Sequence, residues 1–66
     1  MVNKLKEIRT AQGMTALDLA MKIGVSENYI YMLEAGRKKP SIDVALDIAK
    51  VLCVKIDDIW GYSDGK

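Results

Sequence analysis

The chain holds little with which to make or break a covalent bond. It has no histidine and a single cysteine, Cys53, among its 66 residues. It also lacks a glycine-rich phosphate loop, so neither a nucleophile–base pair nor a four-ligand zinc site can be assembled. No catalytic residue, metal or cofactor is expected, and the chain reads as a binder rather than an enzyme. What it offers is charge in one place: Arg37, Lys38 and Lys39 are consecutive, a run suited to phosphates, which are bound by displacing their counterions. Ten basic and nine acidic residues leave a net charge of +1, which excludes a chain that coats nucleic acid through overall basicity. Attraction to a polyanion has to be local, because Asp57, Asp58 and Asp64 carry acid to the C-terminal end.

Elements able to position that charge follow from composition and from helix punctuation. Half of the residues are apolar and 29% are charged, so a core is affordable at a length that suits one domain, residues 1–66. A lone cysteine gives no disulfide and suits a reducing compartment. Polar residues interrupt the N-terminal stretch and no run approaches the length of a bilayer span, so a cytoplasmic protein off the membrane is expected. Boundary signals predict five short helices and no strands. The first runs from about Asn3 to Gln12, with Leu5 and Ile8 inward, joined by Val2 or Met1, and ends at Gly13. Thr15 caps the second, with Asp18 three residues on, and Gly24 ends it. Ser26 caps the third, Glu27 sits at its positive end, and Gly36 stops it. Ser41, after Pro40, caps a fourth whose Ile42, Ala45, Leu46, Ile48, Ala49 and Leu52 are spaced for burial. A last turn spans about Ile56 to Trp60, followed by a polar tail.

Between Ala16 and Ala35 the pattern becomes specific. Ala20 is small enough for two helices to approach, Gly24 makes the turn between them, and Leu19, Ile23, Val25, Ile30 and Leu33 fill the space they enclose. With Gly36 and Pro40-Ser41 following, residues 3 to 60 resemble the Xre-type helix-turn-helix family of phage repressors, Cro proteins and small bacterial regulators. The resemblance implies an all-α, phage-repressor-like domain whose motif covers about residues 15–36. It also implies a sequence-specific DNA-binding transcriptional regulator, a repressor, with the helix Ser26 to Ala35 in the major groove of double-stranded DNA.

By the same resemblance Glu27, Asn28 and Met32 face base edges. Thr15, Ser26, Tyr29 and Tyr31 lie beside them, and Arg37, Lys38 and Lys39 lie near phosphates. The Asn28 amide both donates and accepts, as an adenine edge requires, whereas the Glu27 carboxylate only accepts and suits a cytosine amine or simply the helix dipole. The hydroxyls of Tyr29 and Tyr31 can reach phosphates, one of the rings can instead pack, and Met32 offers apolar contact. Arg9 and Glu34 match positions that form an ion pair between the first and third helices in many relatives. A homodimer, at least on DNA, is expected, with Trp60 and Tyr62 as candidate contributors.

Three positions depart from the family pattern. Ala16 stands where relatives commonly carry a backbone-contacting glutamine. Cys53 replaces the usual glycine before the last helix, which implies a strained or altered turn. Leu17 and Met21 lie four apart on a face that is usually polar. With Tyr31 and Met32 they define the competing expectation, a module that keeps the fold but binds a protein partner.

Overall fold

Helix starts in this chain are set by side chains that replace missing backbone partners, and the computed structural model, which describes residues 3–61, shows them in place. The helices are α1 Leu5–Ala11, α2 Ala16–Ile23, α3 Glu27–Glu34, α4 Ile42–Leu52 and α5 Ile56–Trp60. No strand occurs among the described residues. Thr15 Oγ1 accepts from the Asp18 backbone N–H at 3.0 Å, and the Asp18 carboxylate accepts from the Thr15 N–H at the same distance, closing a capping box. Those two hydrogen bonds, the one to the Thr15 backbone foremost, hold the Asp18 carboxyl below its ordinary value. The cap is therefore complete above the ordinary carboxylate pKa and weakens as pH falls through the lowered one. Ser26 and Ser41 cap α3 and α4 through the N–H groups of Tyr29 and Val44. Asp58 accepts the Lys55 N–H ahead of α5.

The turn between α2 and α3 depends on backbone conformation rather than crowding. Gly24 has φ +77°, and a Cβ added there would meet nothing within 4 Å, so the left-handed dihedral is what asks for glycine. Cys53 takes the same conformation at the end of α4, with φ 57°, and is the one non-glycine residue to do so among the described residues. A Cβ there crowds the carbonyl that follows and costs roughly 1–2 kcal/mol, so of the two outcomes expected at this departure the turn is strained and not altered.

Leu5, Leu19, Ile30, Leu33, Ile48, Leu52 and Ile59 are fully buried and draw on all five helices, so one core joins them. Ala16 and Ala20 are buried with them, and small side chains here let α2 lie close to its neighbours. Ala16 thus serves packing and has no polar group to offer a DNA backbone. Three ties at the helix ends complete the frame. The Lys4 N–H donates to the Ile59 carbonyl at 2.8 Å. The side-chain amides of Asn3 and Gln12 donate to the carbonyls of Leu33 and Leu52 at 2.8 and 2.7 Å.

The structure corrects two core assignments. Ile42 is 72% exposed and Leu46 47% exposed, while Ala45, Ile48, Ala49 and Leu52 are buried. On the 3.6-residue period Ile42 and Leu46 share an exposed stripe beside the one that α4 buries. Helix α1 is also one turn shorter than its expected span. Lys4 and Gln12 flank it, and Asn3 accepts the Leu5 N–H from outside. The expectations for Met1, Val2, Tyr62 and the polar tail lie outside the described residues.

Candidate nucleic-acid interface

The candidate site is the outward side of α3 and the loop that follows it. Ile30 and Leu33 are buried, which fixes the rotation of the helix. Turning by 3.6 residues then sets Glu27, Asn28, Tyr31 and Met32 on the opposite arc. Glu27, Asn28 and Tyr31 are exposed, and Met32 is half buried. Met32 therefore offers only part of its side chain to a groove.

The two tyrosines separate. Tyr29 is half buried against the core, and the Lys38 ammonium stands 5.9 Å from its ring centroid, within cation–π range. Tyr31 is 50% exposed and donates its hydroxyl to Glu27 Oε2 at 3.1 Å, one turn back along α3. That bond, followed by the negative charge of Glu27, holds the Tyr31 phenol above the usual tyrosine range. By residue type either hydroxyl could reach a phosphate and either ring could pack, and it is Tyr29 that packs. The Tyr31 proton is instead committed within the helix.

Thr15 and Ser26 are exposed, but each hydroxyl oxygen accepts a backbone N–H at the start of its helix. Arg37, Lys38 and Lys39 are exposed and make no ion pair among the described residues. Beneath this surface, Arg9 Nε donates to Glu34 Oε2 at 2.6 Å, with both side chains only 7% exposed. Arg9 Nη1 also donates to the Met14 carbonyl at 2.8 Å. The guanidinium thereby ties α1 to the last turn of α3 and to the segment leading into α2.

Sequence reasoning missed Asn3 and Gln12 as cross-ties. Their signal was weak, since an amide reaching a carbonyl 30 or 40 residues away leaves no periodic trace. On α2, Leu17 and Met21 are exposed as their spacing predicts, whereas Trp60 is half buried against the core. No group of metal-ligating side chains is gathered among the described residues, and no helix there is long and apolar enough to cross a membrane.

Two capped helices joined at a left-handed glycine, with the second presenting a polar arc beside three cations, define a helix-turn-helix protein. The helix-turn-helix family model matches residues 5–59, and the chain belongs to that family, in its Xre-like branch. An HTH-type transcriptional regulator of Methanocaldococcus jannaschii is 47% identical over 64 residues, covering 97% of each chain. Another, from Archaeoglobus fulgidus, is 38% identical over 64 residues, covering 97% of this chain and 91% of its own. Among solved structures, the restriction-modification controller protein C.AhdI of Aeromonas hydrophila matches with a TM-score of 0.77 and 29% identity over 83% of each chain. The protein is a DNA-binding transcriptional regulator.

Proposed function

We propose that this regulator is a cytoplasmic repressor that reads one half of a two-fold operator with each chain. The observation that carries the reading is the outward arc of α3, held in rotation by Ile30 and Leu33 and followed at once by three exposed cations. Within it Asn28 is the base reader, because its exposed amide can pair with both the acceptor and the donor of an adenine edge. Arg37, Lys38 and Lys39 take phosphates, Lys38 at the expense of its contact with the Tyr29 ring, and Thr15 and Ser26 contribute helix N-termini that face the backbone. Nothing in this arrangement requires catalysis.

The test begins with duplexes selected from a random library. Replacing Asn28 by alanine should weaken binding to the selected duplex by about 1–3 kcal/mol and leave a scrambled duplex nearly unaffected at the same salt concentration. Equal losses on both duplexes would remove Asn28 as a base reader. Selection of no preferred sequence, with Leu17→Asp or Met21→Asp abolishing capture of a protein partner, would favour the competing module. The exposure of Leu17 and Met21 supports that second reading.

One short helix reads few base pairs, so a homodimer with half-sites about 34 Å apart belongs to the proposal. Trp60 is engaged with the core, and the exposed Ile42–Leu46 stripe is the better surface for a second copy. Helix α4 carries Asp43 in its first turn, Asp47 at its middle and Lys50 in its last turn. Two antiparallel copies related by a two-fold axis near Leu46 would set each one's Asp43 against the other's Lys50. Replacing Leu46 by lysine should leave one chain per duplex in sedimentation, where the parent protein shows two. A parent protein that stays monomeric on the duplex would refute this part of the proposal.

A further inference from the structure

Glu27 presents a difficulty on a surface meant for DNA, because a carboxylate near phosphates is repelled and can recover that loss only by accepting a hydrogen bond. Its partner on the helix bears on how it does so. Tyr31 donates to Glu27 Oε2 at 3.1 Å across one turn of α3, and both residues are exposed. A hydroxyl has one proton, so while this bond lasts Tyr31 has none to give to a phosphate oxygen, which can only accept. The carboxylate still has Oε1 and the remaining lone pairs of Oε2, and they are held on the arc that also carries Asn28.

We propose that Tyr31 is a positioning residue that orients Glu27 to accept the amine of a cytosine next to the base pair read by Asn28, an assignment that rests on the α3 reading above. The base edges allow little else. In the major groove guanine shows two acceptors, thymine an acceptor and a methyl, and adenine an acceptor beside its amine, each of which opposes a carboxylate in whole or part. Cytosine shows the amine alone. A free glutamate would lose side-chain freedom on docking, and the hydroxyl of Tyr31 has already restricted that freedom in the unbound protein. The rotation of α3 that places both groups outward is set by Ile30 and Leu33, which the proposal leaves untouched.

The test uses the full chain with Tyr31→Phe and Glu27→Gln, and duplexes selected from a random library by the parent protein. The selected sites should hold one fixed cytosine in each half-site, and changing it to thymine should weaken binding about 10- to 100-fold. Glu27→Gln should abolish that preference. Tyr31→Phe should reduce it several-fold while leaving thermal stability unchanged, with a smaller loss on a scrambled duplex than on the selected one. Full retention of the cytosine preference in Tyr31→Phe overturns the positioning role. An equal loss on selected and scrambled duplexes overturns it too, because that is the signature of a phosphate contact. Selected sites with an adenine preference lost in Asn28→Ala but no fixed cytosine would leave the α3 reading intact and overturn this inference alone. Selection of no preferred site would overturn both.

Discussion

Replacing Arg9 by leucine should destabilise the protein by about 3–5 kcal/mol, the cost of leaving the partner of a buried ion pair alone. The burial of both members argues for that range rather than for the value of about 0–1 kcal/mol seen at exposed pairs. Two acceptors are orphaned together: the Glu34 carboxylate, 7% exposed, and the Met14 carbonyl that Arg9 Nη1 satisfies. For a chain of this length, total stability on the order of 3–10 kcal/mol is usual, so the variant should be largely unfolded at temperatures where the parent is folded. Arg9→Lys keeps a charge but cannot donate in two directions from a planar fork, and should fall between. Replacing both residues by apolar ones of similar volume should recover much of the loss, because no charge is then stranded. Denaturant unfolding of the two single variants and the double variant measures the coupling. A loss below about 1 kcal/mol in Arg9→Leu would refute the assignment of a buried pair.

That pair illustrates which parts of the molecule were legible in the sequence. Resemblance to relatives could pair Arg9 with Glu34, but burial decides the energy and is a property of the assembled core. The starts of α2, α3 and α4 were legible because Thr15, Ser26 and Ser41 act on backbone groups three residues away. Their ends were similarly marked by Gly24 and Gly36, and by Cys53 as the residue standing in a glycine's place. Helix α4 was misread at Ile42 and Leu46 because it is apolar around more of its circumference than it buries. Periodicity then gives the helix but not which stripe faces inward. Tyr29 and Tyr31 were alike by type and differ only by rotation on α3, so their separate engagements with Lys38 and Glu27 had no signature in composition. The candidate site was therefore located by its motif, while the role of each side chain awaited the geometry.

Changing Arg37, Lys38 and Lys39 together to alanine should cause the largest change in DNA affinity, and it should do so on every sequence alike. Each phosphate neutralised by a cation contributes about 0.9 to the slope of log affinity against log salt, so loss of three contacts should flatten that slope by about 2 to 3. Between 50 and 200 mM salt the parent protein would then lose roughly 40-fold more affinity than the variant. The fold should survive, since all three side chains are exposed and none is in an ion pair among the described residues. The three positions should not contribute equally. Lys38 is 5.9 Å from the Tyr29 ring centroid, an attraction it must weaken to reach a phosphate, so Lys38→Ala should lower the slope less than Lys39→Ala does. Titrations of one selected and one scrambled duplex across that salt range measure both effects. An unchanged slope in the triple variant would show that this loop does not touch the DNA backbone, and the cations that anchor the complex would then have to be sought on α1 and α2, at Lys4, Lys6 and Lys22.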